Sequence, residues 1–171
     1  MDARRDSEPT AAKNRTKVER KSERELVVTR TINGPARLVF EAWTKPALFR
    51  RWWVPKSAGL TLLSCEMDVR PGGGYRLVFD GGSSEPMAFF GRYIEVTPPA
   101  RLVWTNDEEG GGAVTTVTFE DQGDKTLLIL HDLYPSKEAL DAALGSYDGM
   151  DETLAQLDEL LVSLDARSGS S

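Results

Sequence analysis

Hydrophobic and polar residues alternate with a period of two through the middle of the chain. Leu63, Cys65 and Met67 alternate with Ser64 and Glu66, which is typical of a strand with one apolar and one solvated face. Short segments rich in Gly, Pro and Asp separate six such stretches, and no helical segment of crossover length interrupts them. The pattern predicts consecutive antiparallel hairpins, with strands over 63–69, 75–80, 87–96, 101–106, 113–120 and 126–133.

The segment before this region predicts one strand and two short helices. Residues 25–31 are rich in β-branched side chains and predict a first strand, which ends at the turn signal Asn33-Gly34-Pro35. Prolines then stand at the start of both predicted helices, where the missing N–H is tolerated. The first helix has apolar residues at helical spacing, and the second brings three aromatic residues together before Pro55 ends it, so we expect helices over 35–44 and 46–53.

The end of the chain predicts a long amphipathic helix. Over 149–164, apolar residues recur at alternating spacings of four and three, which is the spacing of a single helical stripe. Asp158 and Glu159 fall off this stripe, and we interpret them as part of a solvated acidic face, with a docking surface for a basic partner as the alternative. The pattern is too short for a coiled coil and favours a core helix lying on the sheet. Its stripe residues are Met150, Leu154, Leu157, Leu161 and Leu164.

Together these elements predict an α+β fold. A curved antiparallel sheet of about six or seven strands must bury its apolar face, and the long C-terminal helix is the element that can cover it. The two short helices follow the first strand. We expect the sheet to wrap on the C-terminal helix around a single core.

In this order the elements resemble the START-like helix-grip (SRPBCC) superfamily, and specifically its branch of homologues of the activator of the heat-shock-protein-90 ATPase. The resemblance covers most of 25–162. It rests on the segments ELVVTRTINGPARLVFEAWTKPALFRRWW, CEMDVRPGGGYRLVF, FFGRYIEVTPPARLVWT, VTTVTFED with KTLLILHDLY, and DGMDETLAQLDELL. It implies a deep, largely apolar cavity between the long helix and the sheet, of the kind that the superfamily uses for lipids, sterols, polyketides and other hydrophobic small molecules.

Composition and charge define the expected boundaries. Residues 1–24 carry eight Lys and Arg against five Asp and Glu, with hardly any large apolar residue, so we expect a disordered charged N-terminal tail there. A helix-grip ligand-binding domain is expected over 25–165, and a disordered C-terminal tail over 166–171. The net charge outside the N-terminal tail is −9, from thirteen basic and twenty-two acidic residues. An acidic body repels phosphate backbones, so nucleic acid is not a predicted partner.

The overall composition is that of a soluble globular protein, and 40% of the 171 residues are hydrophobic. No apolar run approaches the length of about 20 residues that a membrane helix needs, and the opening MDARRDSEPT lacks the apolar segment of a secretory signal. We therefore expect a cytoplasmic protein without a membrane span, present as a monomer or weak homodimer.

The sequence offers few combinations of residues that could form a catalytic or metal site. Cys65 and His131 could in principle form a nucleophile and base, but Cys65 lies on an apolar face, where burial makes a thiol inert. One Cys and one His are too few for a zinc site, so no metal and no cofactor are predicted. The glycine runs 72–74 and 110–112 lack the residues of a phosphate loop, and no nucleophile-elbow motif occurs. We predict a non-catalytic protein.

The aromatic and sulfur residues are the most informative set. Large rings around one concave space suit an apolar ligand with a few polar anchors, whereas a fully packed core is the alternative. We expect His131, Tyr75 or Tyr93 to orient the ligand. The candidate cavity residues are Trp52, Trp53, Met67, Tyr75, Phe79, Phe89, Tyr93, Trp104, Phe119, His131, Met150 and Leu154.

These observations favour one function over two alternatives. The first hypothesis is non-covalent binding of a hydrophobic small molecule of the lipid, sterol, polyketide or flavonoid class. The resemblance suggests a second, a chaperone-associated interaction module that stimulates a heat-shock ATPase. A third, a cyclase or hydrolase built in the cavity, has no recognisable acid and base pair in the sequence.

Overall fold

The computed structural model describes residues 16–54, 56–81, 85–107 and 112–170. Two single 3-10 turns, Lys56–Ala58 and Leu144–Tyr147, join longer elements. The strands are β1 Lys17–Arg20, β2 Glu25–Ile32, β3 Thr61–Met67, β4 Gly74–Asp80, β5 Met87–Thr97, β6 Arg101–Asn106, β7 Ala113–Asp121 and β8 Thr126–Leu133. The helices are α1 Ala36–Thr44, α2 Pro46–Phe49, α3 Lys137–Ala143 and α4 Met150–Ser170.

All eight strands form one antiparallel sheet in the order β1-β2-β8-β7-β6-β5-β4-β3. Six neighbouring pairs are consecutive along the chain, and the exception is the pair of β2 with β8. The connection from β2 to β3 contains α1 and α2. The predicted α+β fold with its antiparallel sheet and C-terminal helix is confirmed, and the sheet has one strand more than the upper limit of the prediction.

The additional strand is β1, and it corrects the predicted N-terminal boundary. We expected residues 1–24 to be disordered, but Lys17–Arg20 pairs with β2 in the register that places Val18 opposite Val28. The open edge of β2 offers unpaired backbone N–H and C=O groups, and a polar segment can pair with them without burying apolar side chains. Residues 1–15 lie outside the described residues, so the prediction stands untested there.

The C-terminal boundary also differs from the prediction. Helix α4 continues to Ser170, whereas a disordered tail was expected over 166–171. Extending an existing helix adds one backbone hydrogen bond for each residue fixed, so a polar sequence can continue a helix that it would not nucleate. Residue 171 lies outside the described residues.

The core lies between the inner face of the sheet and helices α1 and α4. Alternate residues of β2 and β8 point inward, and one stripe of α4 meets them, which is the packing expected of a sheet covered by an amphipathic helix. Fully buried residues of this layer include Leu26, Val28, Ile32, Leu128, Leu154, Leu157 and Leu161.

A buried ion pair attaches α4 to β2. The Arg30 guanidinium donates from Nε and Nη2 to Asp158 Oδ2, at 3.2 and 2.8 Å, and the backbone N–H of Asn33 donates to Asp158 Oδ1 at 2.8 Å. Asp158 is only 8% exposed. The prediction that Asp158 belongs to a solvated acidic face, or to a docking surface, is therefore wrong, because Arg30 occupies an inward position of β2 and requires a partner.

A second set of contacts attaches α4 to the segment between α2 and β3. Gln156 Nε2 donates to the carbonyls of Trp52 and Val54, at 2.9 and 2.8 Å, while its Oε1 accepts from the Lys56 N–H at 2.9 Å. One turn earlier, Glu152 accepts from the backbone and hydroxyl of Ser57. These bonds fix the segment that carries Trp53. Among the described residues, no helix is both long and apolar enough to cross a membrane.

Candidate functional site

A cavity of about 580 Å³ lies inside the fold, and strands β3 to β8 together with all four helices contribute to its lining. Its volume is within the range of roughly 300–1,000 Å³ that is usual for small-molecule sites. Eight of the twelve residues predicted from the sequence line it. They are Trp53, Met67, Tyr75, Phe79, Phe89, Tyr93, Trp104 and Met150.

Three of the other predicted residues belong to the solid core beside the cavity. Trp52 is fully buried and donates its indole N–H to the Ala42 carbonyl at 2.9 Å. Phe119 packs edge-to-face on Phe40 with ring centroids 5.4 Å apart, and Leu154 is fully buried. The prediction that these three line the cavity is wrong. A side chain that points inward can pack against neighbouring side chains in the core instead of lining the cavity.

His131 was also predicted to line the cavity, and this is wrong for a different reason. Its ring lies on the opposite face of the sheet, where Nε2 is 3.0 Å from Glu25 Oε2. The contact with His131 lowers the pKa of the Glu25 carboxyl. Residues 127–130 are all apolar, so the sequence alone left the phase of β8 ambiguous, and the structure turns Leu128, Leu130 and Asp132 inward.

Ten aromatic side chains contribute to the wall of the cavity. Tyr75 and Tyr93 lie with ring centroids 5.8 Å apart, and Trp104 is 5.8 Å from Trp43. Burial raises the pKa of Tyr93, so its hydroxyl stays protonated at neutral pH. Phe89 also lines the cavity and is 40% exposed.

The cavity also has a polar region built around Asp132 of β8, which the sequence analysis missed. Asp132 Oδ1 accepts from the Thr115 hydroxyl at 2.5 Å, and Oδ2 accepts from the Tyr147 hydroxyl. The hydroxyls of Tyr134 and Tyr147 are 2.6 Å apart. Burial raises the pKa of Asp132 above its ordinary value, although the hydrogen bonds from Thr115 and Tyr147 oppose this. All four side chains line the cavity.

Asn106 of β6 extends this polar region across the sheet. Its Nδ2 donates to the Ala113 carbonyl at 3.1 Å and to the Thr115 hydroxyl at 3.0 Å. On its other side the Tyr75 hydroxyl lies 3.2 Å from Asn106 Oδ1. These polar residues therefore form one connected network, and the rest of the cavity lining consists mainly of apolar side chains.

A signal for the polar region exists in the sequence. Leu128, Leu130 and Asp132 follow a period of two, so an acid at the third inward position marks a carboxylate facing the core. Tyr134 and Tyr147 lie outside the long elements, in segments where periodicity gives no direction. Their convergence depends on how α3 folds back over the sheet.

The described residues contain no cluster of three or more His, Cys, Asp or Glu side chains able to hold a metal ion. Cys65 and His131 do not form a pair, because β3 and β8 are separated by four strands of the sheet. Burial raises the pKa of the Cys65 thiol, which disfavours its nucleophilic thiolate form.

Solved structures share this architecture. A protein of Rhodobacter sphaeroides superposes with a TM-score of 0.79 at 24% identity, covering 87% of this chain and 99% of its own. A protein of Nitrosomonas europaea has a TM-score of 0.75 at 25% identity, with 85% and 99% covered. For a protein of Chromobacterium violaceum the values are 0.70 and 27%, with 82% and 98% covered. No curated protein matches the chain.

The family relationship follows from the sequence of most of the domain. The residues that match include α1, the whole of β3 to β8 and most of the packed part of α4, so the match spans both the cavity wall and the helix that covers it. Because residues 33–162 match the family described as Activator of Hsp90 ATPase homolog 1-like protein, the chain belongs to that family, within the helix-grip (SRPBCC) superfamily.

Proposed function

We propose that the protein binds a hydrophobic small molecule non-covalently in the cavity between the sheet and its helices. The observation that carries this proposal is the cavity of about 580 Å³, whose lining includes Trp, Tyr, Phe and Met side chains. An apolar ligand in this cavity would gain dispersion contacts with these side chains. At family level, a helix-grip ligand-binding or activator module agrees with this function.

Affinity would come mainly from removing apolar surface from water, at roughly 25 cal/mol per Å² buried. The rings of Trp53, Trp104 and Tyr93 offer large, rigid contact surfaces at small entropic cost. Trp53 is carried by the segment that Gln156 holds through two carbonyls and one N–H, so this part of the wall is positioned before a ligand arrives. Orientation would come from the polar network around Asp132.

A ligand screen tests the proposal directly. Purified protein is mixed with a panel of fatty acids, sterols, flavonoids and polyketides, and its melting temperature is measured. A true ligand at a free concentration of about 100 times its Kd stabilises the fold by about 2.7 kcal/mol, which for a domain of this size is a rise of about 5–10 °C. The absence of any stabilising compound in the whole panel would overturn the proposal.

Two matched variants separate cavity binding from surface binding. Ala143 lines the cavity from α3, and Ala143→Phe should reduce the stabilisation by occupying the space. Ala88 lies on β5, opposite Val78 of β4. It stands between the lining residues Met87 and Phe89, so its side chain faces the other side of the sheet. Ala88→Phe adds the same bulk and should leave ligand stabilisation unchanged.

We also propose a second candidate, an interaction module that stimulates a chaperone ATPase, which the family description suggests. The structural observation in its favour is an exposed apolar pair on the outer face of β5, where Phe90 is 39% and Ile94 is 54% exposed. Stimulation of a purified Hsp90 ATPase, lost in Phe90→Lys and Ile94→Lys but retained in Ala143→Phe, would support this function over ligand binding. No stimulation by the wild-type protein would remove it.

A further inference from the structure

The polar network has a defined hydrogen-bond direction on its β6 side. The Ala113 carbonyl can only accept, so the Asn106 atom beside it must be the amide nitrogen. That nitrogen also donates to Thr115 Oγ1. The single hydroxyl hydrogen of Thr115 is then directed to Asp132 Oδ1, which acts as an acceptor.

On the other side, the network can run in either direction. With Asp132 ionised, Tyr147 donates to Oδ2 and accepts from Tyr134. With Asp132 protonated on Oδ2, the carboxyl donates to Tyr147, which then donates to Tyr134. A ligand group that both donates and accepts can join the network in both states, and a hydroxyl is the smallest such group.

The charges around the cavity restrict the ligand further. Among the described lining residues Asp132 is the one acid, and they include no Lys, Arg or His. A ligand carboxylate in this cavity would lose its hydration without gaining a cationic partner, and it would lie near a second carboxyl group. An ether or ester group can only accept hydrogen bonds, so it could join the network in at most one of its two hydrogen-bond directions.

We propose that the polar region around Asp132 selects an uncharged hydrophobic ligand that ends in an alcoholic or phenolic hydroxyl, and that it discriminates against carboxylates of the same size. This inference rests on the proposed function and specifies its ligand class. The apolar wall supplies affinity, and the hydroxyl exchanges hydrogen bonds with Asp132 and Tyr147. Free fatty acids are then poor ligands, whereas sterols and flavonoids that retain a hydroxyl remain candidates.

Three probes of nearly equal size test the selection. These are 4-hexylphenol, its methyl ether 4-hexylanisole, and 4-hexylbenzoate, titrated at neutral pH with the fluorescence of the lining tryptophans Trp43, Trp53 and Trp104 as readout. The phenol is expected to bind about tenfold more tightly than the ether, the equivalent of one net hydrogen bond. It is expected to bind about a hundredfold more tightly than the benzoate, which must be desolvated without a counter-charge.

Variants then assign the selection to Asp132. Asp132→Leu should reduce the phenol-to-ether ratio to about one, the limit expected without the hydrogen bond. His131→Asn changes the next residue of β8, whose side chain faces away from the cavity, and should keep the wild-type ratio. If the Leu variant does not fold, Asp132→Asn keeps the size of the side chain, and it should bring the benzoate affinity closer to that of the phenol.

The outcomes distinguish this inference from the function on which it rests. If neither the probes nor any compound of the panel binds, the proposed function fails, and the inference fails with it. If the ether or the benzoate binds as tightly as the phenol, or if a panel compound binds while the phenol does not, hydrophobic binding stands and the selection is wrong. A phenol preference that persists in Asp132→Leu also contradicts the assignment to Asp132.

Discussion

Two carboxylates, Asp158 and Asp132, are each 8% exposed, but their surroundings differ in kind. Asp158 receives two N–H bonds from the Arg30 guanidinium and one from the Asn33 backbone. Asp132 receives only hydroxyl bonds, from Thr115 and Tyr147, and it lines the cavity. One is neutralised by an opposite charge inside the solid core. The other is held by uncharged donors beside a void.

The comparison separates a structural role from a functional one. A buried carboxylate with a cation and a backbone donor is satisfied by the fold, and its purpose is to fix α4 against β2. A buried carboxylate with only hydroxyl partners has no opposite charge in contact to offset its desolvation, and burial raises the pKa of Asp132. Such groups are more typical of sites that bind or react than of structural contacts.

The largest loss of stability is expected from replacing Asp158. Asp158→Asn removes the charge opposite the buried Arg30 guanidinium, and removing one partner of a buried ion pair costs about 3–5 kcal/mol. The free energy of unfolding from urea denaturation measures this. Asp151 contacts the same guanidinium at 3.0 Å but is 72% exposed, so Asp151→Asn should lose at most about 1 kcal/mol. Equal losses in the two variants would contradict the structural role assigned to Asp158.

Asp158 also illustrates how much of the fold could be predicted from the sequence. Hydrophobic periodicity predicted the seven strands from β2 to β8, the two short helices after β2 and the stripe of α4, because burial of apolar faces is a local, repeating signal. It did not predict β1, whose pairing depends on a backbone edge rather than on side-chain pattern. It placed Asp158 in solvent, although Arg30 at an inward position of β2 was a sign that a buried partner was needed.

The candidate site, like the fold, could be predicted from the sequence only in part. The apolar wall followed from strand alternation, as Tyr75 and Phe79 show on the inner face of β4. Alternation could not distinguish a residue that lines a void from one that fills it, which is why Phe119 was assigned to the cavity. It also could not fix the phase of the uninterrupted apolar run in β8, so His131 was chosen in place of Asp132.

A smaller loss of stability is expected from replacing Gln156, an uncharged residue that attaches α4 to the segment before β3. Gln156→Leu removes three hydrogen bonds to the backbone of residues 52–56 and leaves buried polar groups without partners, at a cost of about 1–3 kcal/mol. Because this segment carries Trp53, the variant should also bind the panel ligands more weakly, whereas Asp158→Asn should not change the affinity of the folded fraction. Affinity reduced equally in both variants would show that α4 and the cavity wall move as one unit.

The smallest effect, and the one that defines Asp132 most sharply, is a dependence of stability on pH. Because the pKa of Asp132 is raised in the folded state, the fold holds this proton more tightly than the unfolded chain does. The stability that comes from the protonated carboxyl is present below its ordinary pKa of about 4, and it is lost as pH rises through the raised value.

Asp132→Asn cannot titrate, so the difference in unfolding free energy between wild type and variant isolates this group. The buried Tyr147 hydroxyl that faces Asp132 has a raised pKa and stays protonated, and His131, on the same strand, is common to both proteins. The difference should therefore shift in favour of the variant as pH rises from about 4 towards neutrality. Urea midpoints measured across that range test this. A difference that is constant, or that shifts towards the wild type, would mean that the hydroxyls of Thr115 and Tyr147 satisfy Asp132 as completely as Arg30 satisfies Asp158, and the distinction between the two carboxylates would disappear.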